Sequence, residues 1–139
     1  MTPTPSSQLL IARRYLARGF LDTAMHLFVR NAGAVRPADW ERLVDRLMER
    51  QRIADAVRVC ALGGIPLPRE RLLALGDTRL QGRDVKGAKL LYELGEADLP
   101  RWERFIDVLT SSPDLQRLAV EIADRYLVGG GERQDSTAG

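Results

Sequence analysis

The stretch "ARGFLDTAMHLF", Ala17–Phe28, sets an apolar residue just past a Gly, an Ala three residues on, and an aromatic four beyond that. Laid over the chain with Ala17 on Glu49, it meets "ERQRIADAVRVC", Glu49–Cys60; the same shift again sets it on "QGRDVKGAKLLY", Gln81–Tyr92. Leu21, Ile53 and Val85 coincide, as do Ala24, Ala56 and Ala88, and Phe28, Cys60 and Tyr92. A poorer fourth copy follows after a shift of 30: Leu115, Leu118 and Ile122. The segments before these keep the same frame. Ile11, Leu43, Leu75 and Phe105 align, and so do Tyr15, Leu47 and Leu109, with Arg79 the misfit. Self-similarity at a period of about 20–50 residues is the mark of a stacked repeat array.

Within a copy the three recurring residues lie at i, i+3 and i+7, one face of a helix. The small Ala lets a neighbouring helix approach closely. Each unit is then an antiparallel pair of helices, A and B, that cannot bury its apolar faces alone and stacks on the next. Gly and Pro punctuate the chain, and segments of helical period lie between them. The spacing predicts helices at 5–18, 21–32, 37–50, 53–62, 68–81, 84–95, 100–110 and 113–128, with Asp84 and Ser112 as N-caps. Nothing sustains the period-2 alternation of a strand, so the expected class is all-α. Residues 1–5 read as a flexible N-terminus, 6–128 as one repeat domain (units 6–36, 37–67, 68–99 and 100–128), and the Gly-rich, polar 129–139 as a disordered tail.

The pattern resembles the tetratricopeptide repeat family. Trp40 and Trp102 match its aromatic early in helix A, Ile11–Ala12 and Leu75–Gly76 its Leu and small residue, and Tyr15 its late Tyr. Gly19 matches the turn Gly; Ala24, Ala56 and Ala88 match the helix-B Ala; Phe28 and Tyr92 match the aromatic after it; Pro68 and Pro100 match the closing Pro. The period of 32 is shorter than the family's 34, and Leu118 stands where the last Ala belongs. The resemblance implies a right-handed α-α superhelix of about four helix pairs whose A helices line a concave binding surface. Pentatricopeptide repeats are similar, and would imply nucleic-acid binding instead.

Composition narrows the classes. The 139 residues are 45% hydrophobic and 29% charged, with no apolar run near the ~18 residues of a membrane span. "MTPTPSSQ" lacks the basic segment and apolar core of a secretory signal, and one Cys excludes an internal disulfide framework. A cytoplasmic protein is the expectation. Of 21 basic residues 19 are Arg, yet the net charge of +2 is too small to imply a polyanion partner by itself.

No catalytic constellation appears. His26 is the single His, and with Cys60 alone it cannot complete a usual His/Cys zinc site. Cys60 shares its register with Phe28 and Tyr92, which assigns it to the core. "GDTRLQGRD", Gly76–Asp84, lacks the order of a phosphate-binding loop, and no strand precedes it. The expectation is no enzyme, no cofactor and no metal.

By the family resemblance, the positions facing the groove are Leu9, Arg13 and Leu16 in the first copy and Glu41, Asp45, Met48 and Glu49 in the second. Glu70, Leu73, Asp77 and Leu80 follow in the third, and Glu103 and Asp107 in the fourth. Seven acids stand there against one base, while Arg42, Arg46, Arg71 and Arg104 fall at neighbouring positions expected to point elsewhere. This predicts an acidic, partly apolar groove that holds a basic protein segment. The alternative reading of nucleic-acid binding draws on ten Arg against six acids through Arg58, but a phosphate backbone needs basic groove walls. The last helix has a wide apolar arc. Val120, Tyr126 and Leu127 are therefore candidates for a homodimer contact, or for docking as a subunit or assembly factor of a larger complex.

Overall fold

The computed structural model describes residues 4–128. Among these there are eight α-helices and no strand: α1 (Pro5–Ala17), α2 (Leu21–Arg30), α3 (Pro37–Glu49), α4 (Ile53–Gly63), α5 (Arg69–Gln81), α6 (Val85–Leu94), α7 (Leu99–Leu109) and α8 (Gln116–Ile122). The tail expected at 129–139 lies outside the described residues. No helix among those described is long and apolar enough to cross a membrane.

Local chemistry accounts for the helix ends. Pro in the first turn opens α1, α3 and α7, where its missing N–H would lack a partner anyway. Thr4 caps α1 by accepting from the Ser7 N–H, and Asp84 caps α6 by accepting from the Gly87 N–H. The turns between paired helices are one structure repeated. Gly19, Gln51 and Arg83 take left-handed φ values of 85°, 57° and 65°. After each, an N–H reaches back along the chain to a carbonyl: Phe20 to Tyr15, Arg52 to Leu47 and Asp84 to Arg79, all at 2.9 Å. This is the Schellman ending. Gly64 and Glu96, one period apart, repeat the left-handed residue after the second helix of a pair. The backbone thus recurs with the period read from the side chains.

The contacts group the chain into two compact units, Met1–Leu67 and Pro68–Gly139. In the first unit α1 pairs with α2 and α3 with α4, and α3 packs on both helices of the earlier pair. In the second, α5 pairs with α6, and α7 packs on α8 and on α5. The recurring Ala24, Ala56 and Ala88 are buried, as are Phe28, Cys60 and Tyr92. Trp40 meets Phe28 at a centroid distance of 6.2 Å, and Trp102 meets Tyr92 edge-on at 5.5 Å. Gly76 is the small residue the close approach requires: a Cβ there would lie 2.7 Å from the Tyr92 ring.

The structure departs from the sequence reading at four points. Ile11 and Tyr15 are 47% and 38% exposed, whereas their counterparts Leu43 and Leu47 are fully buried. The helix expected over 113–128 is a 3₁₀ turn, Pro113–Leu115, then α8, then a π-helical segment, Ala123–Val128. Ser112 makes no side-chain cap bond. The 3₁₀ turn delays the start of α8 to Gln116, so Gln116 and not Leu115 takes the place of Val85. The small residue of the fourth copy is therefore Ala119, which is buried, and not Leu118.

Candidate functional site

The first helices of the two pairs in each unit form a groove. In the first unit it lies between α1 and α3, has a volume of about 380 Å³, and is lined by Arg13, Leu16, Ala17, Asp39, Arg42, Asp45, Arg46 and Glu49. In the second unit the groove between α5 and α7 measures about 490 Å³ and is lined by Asp77, Leu80, Gln81, Tyr92, Arg104, Asp107 and Val108. Of the residues predicted to face a groove, Arg13, Leu16, Asp45 and Glu49 meet in the first, and Asp77, Leu80 and Asp107 in the second.

The others do not reach. Leu9 and Met48 are buried in the core at 4% and 6% exposure, because the face that α1 and α3 turn inward includes their positions. Glu41, Glu70 and Glu103 are exposed beside the grooves and do not line them. Leu73 is partly buried against the second unit's core. The acidic character is also corrected. Arg42, Arg46 and Arg104, expected to point elsewhere, line the same grooves, so acids and bases stand three to three in the first. The wall spans a wider arc of each helix than a single stripe of positions.

The grooves have equivalent clasps of opposite polarity. Arg13 donates from Nε and Nη2 to the two Asp39 oxygens, both at 2.9 Å. Asp39, the one buried charged residue among those described, is held below the usual carboxylate range by these bonds, and the Arg13 guanidinium is raised by the same contact. In the second unit Arg101 donates from Nε and Nη2 to Asp77 at 3.1 Å. Residue 77 follows 13 by 64, and 101 follows 39 by 62, so the acid and the base have exchanged helices. Tyr92 also donates to Asp77 Oδ1, at 2.5 Å; burial, and then this bond, push its hydroxyl above the ordinary phenol value. Arg101 is raised by Asp77 and by Asp98, whose own carboxyl is lowered. Sequence reading did not single out Asp39 or Arg101. The signal was the recurrence that joins "PADW", Pro37–Trp40, to "LPRW", Leu99–Trp102.

Remaining candidates fall elsewhere. His26 is exposed, beside Met25, Val29, Arg58 and Leu62 in a depression between α2 and α4. Cys60 is buried, and burial pushes its thiol pKa up. Among the described residues no group of three or more His, Cys, Asp or Glu is placed to hold a metal ion. Tyr126 stacks flat on Trp102 at 4.0 Å and donates to Glu93, so its ring is engaged within the unit; Leu127 is partly buried, and only Val120 of the three terminal candidates is open, at 54%. No family model, curated protein or solved structure matches the chain.

Proposed function

We propose that the chain is a tetratricopeptide-like stack of four helix pairs, wound as a right-handed superhelix, that acts as a non-enzymatic scaffold. A partner polypeptide segment lies along the first-helix grooves. One observation carries the reading. The same groove occurs in both units, with an aliphatic floor (Leu16, Leu80) and an Arg–Asp pair three residues apart on its wall: Arg42 and Asp45 in one, Arg104 and Asp107 in the other. Such a wall favours a segment that carries both charges around an apolar anchor, and not a purely basic one.

Panning a random-peptide display library on the full chain, then titrating the selected peptides by fluorescence polarisation, tests this. Asp45→Arg and Asp107→Arg are expected to weaken binding at least tenfold, equivalent to about 1.4 kcal/mol. Peptides whose affinity ignores both substitutions would sink the reading.

A further inference from the structure

Apart from the reversed clasp, the two grooves differ at one decisive place on the wall. Leu80 and Gln81 follow Leu16 and Ala17 by 64 residues, and Arg104 and Asp107 follow Arg42 and Asp45 by 62. By the same count Val108 stands where Arg46 stands, and each lines its own groove. Arg46 has a definite task. Its Nη2 donates to the carbonyls of Leu16 and Ala17, at 3.2 and 2.9 Å, and its Nη1 lies 3.5 Å from Glu49. Those carbonyls end α1, where no further helical N–H follows to bond them and the helix dipole favours a cation.

The carbonyls of Leu80 and Gln81 end α5 in the same way, but half-buried Val108 has no donor to offer them. Arg83, in the turn after α5, donates to the Ser111 hydroxyl at 3.2 Å. The second groove is also the larger, about 490 Å³ against 380 Å³, and on its wall Asp77 and Asp107 stand against Arg104 alone. It therefore has the acceptors, the space and the excess of acid for a guanidinium that the first groove supplies from its own chain. We propose that the second groove takes an arginine side chain of the bound segment in the place that Arg46 fills in the first. The guest guanidinium donates to the Leu80 and Gln81 carbonyls, with Asp107 on the same wall. Arginine suits the place better than lysine, because its planar fork presents several donors at fixed angles. The proposal deepens the scaffold reading and rests on it for the source of the side chain.

Backbone amide shifts of the full chain, titrated by NMR with N-acetyl-arginine methylamide at constant ionic strength, test the site without a partner segment. N-acetyl-citrulline methylamide is the uncharged control. The arginine probe is expected to move the amides of Gln81, Gly82 and Val108 and to leave those of Ala17, Arg18 and Arg46; the citrulline probe should move neither set. Val108→Arg fills the second site and should abolish the response. Arg46→Val empties the first and should create a response at Ala17 and Arg18. Circular dichroism melts establish that each variant is folded, and Arg46→Val decides alone should Val108→Arg not fold, since the Arg46 side chain is 38% exposed. Peptides selected on the full chain should weaken about tenfold or more when their arginine is replaced by citrulline, and should lose that dependence on Val108→Arg. An unresponsive second groove overturns the proposal, as does a citrulline response equal to that of arginine. So does a folded Val108→Arg variant that responds like the wild type, or an Arg46→Val variant without a new response. The scaffold reading survives such a result where selected peptides still weaken with Asp45→Arg and Asp107→Arg; peptides that ignore both substitutions sink that reading, whatever the arginine probe does.

Discussion

Removing Arg13 should destabilise the first unit by about 2–3 kcal/mol. Arg13→Ala deletes two charge-assisted bonds of 2.9 Å and leaves behind the Asp39 carboxylate, whose side chain is 6% exposed. A fully buried charge stripped of its partner costs about 3–5 kcal/mol. The Arg13 side chain is 39% exposed, so water enters the space it vacates, and the expected loss is reduced to the lower figure. Asp39→Ala should cost less, about 1–2 kcal/mol, since the guanidinium left behind is free to turn into solvent. The exchanged pair, Arg13→Asp with Asp39→Arg, should recover at least half of the loss, as the second unit holds that polarity with Arg101 in the first turn of α7.

The chain has two Trp residues, one in each unit, both buried, so a Trp102→Phe background lets Trp40 report the first unit alone in urea unfolding followed by fluorescence. The pH dependence has a definite sign. The Asp39 pKa is lowered in the folded state, so its contribution is complete above the unfolded value of about 3.9 and is lost as pH falls through the folded value. The gap between wild type and Arg13→Ala should hold from pH 7 to about 5 and close below about pH 4. An Arg13→Ala variant within ~0.5 kcal/mol of wild type at pH 7 would refute the argument, because the bidentate pair would then behave as an exposed one.

Further outcomes follow from the turns and the core. Gly76→Ala should cost about 1–2 kcal/mol, since the clash with the fully buried Tyr92 ring outweighs the gain in helix propensity; urea unfolding read from Trp102 checks it. Gln51→Gly should stabilise by ~0.5–1 kcal/mol by relieving a left-handed residue, whereas Gly19→Ala should cost about 1 kcal/mol or more at the equivalent turn; thermal melts of the pair must move in opposite directions. Cys60 is 2% exposed with its pKa raised by burial, so Ellman's reagent at pH 8 should label it at least ~100-fold more slowly in the native chain than in urea.

The recurring small residues were legible because close packing leaves few choices of residue. Ala24, Ala56 and Ala88 are buried, and Gly76 sits under an aromatic ring. Those constraints write themselves into letters that recur once per helix pair. The turns were less legible, because Gln51, Arg83 and Glu96 take a conformation that only Gly19 and Gly64 announce. The grooves were legible in part. A register list assumes that one stripe of each helix faces the partner, but long Arg side chains reach around from adjacent positions, as Arg42, Arg46 and Arg104 do. The fourth copy misled by one position, since a 3₁₀ turn shifts the frame without changing the apolar composition of the helix after it.

The reversed clasp separates two kinds of groove residue. Between the units Arg13–Asp39 becomes Asp77–Arg101, so the pairing is kept and the sign is not. A charge that read a ligand would need its sign; a charge that joins two helices needs only an opposite across from it. The clasps therefore belong to the architecture. Arg42 and Arg104, and Asp45 and Asp107, keep both position and sign from α3 to α7. A partner that spans either groove would meet the same order of charge, base then acid one helical turn later, above a leucine. Exchanging the signs of a clasp should then change stability and leave peptide selection intact. Exchanging Arg104 with Asp107 should do the reverse: it should alter which peptides are selected by display, while the stability read from Trp102 in urea stays within the roughly 0.5 kcal/mol expected of surface substitutions. Equal effects of both exchanges on selection would mean that the distinction between joining and reading charges fails here.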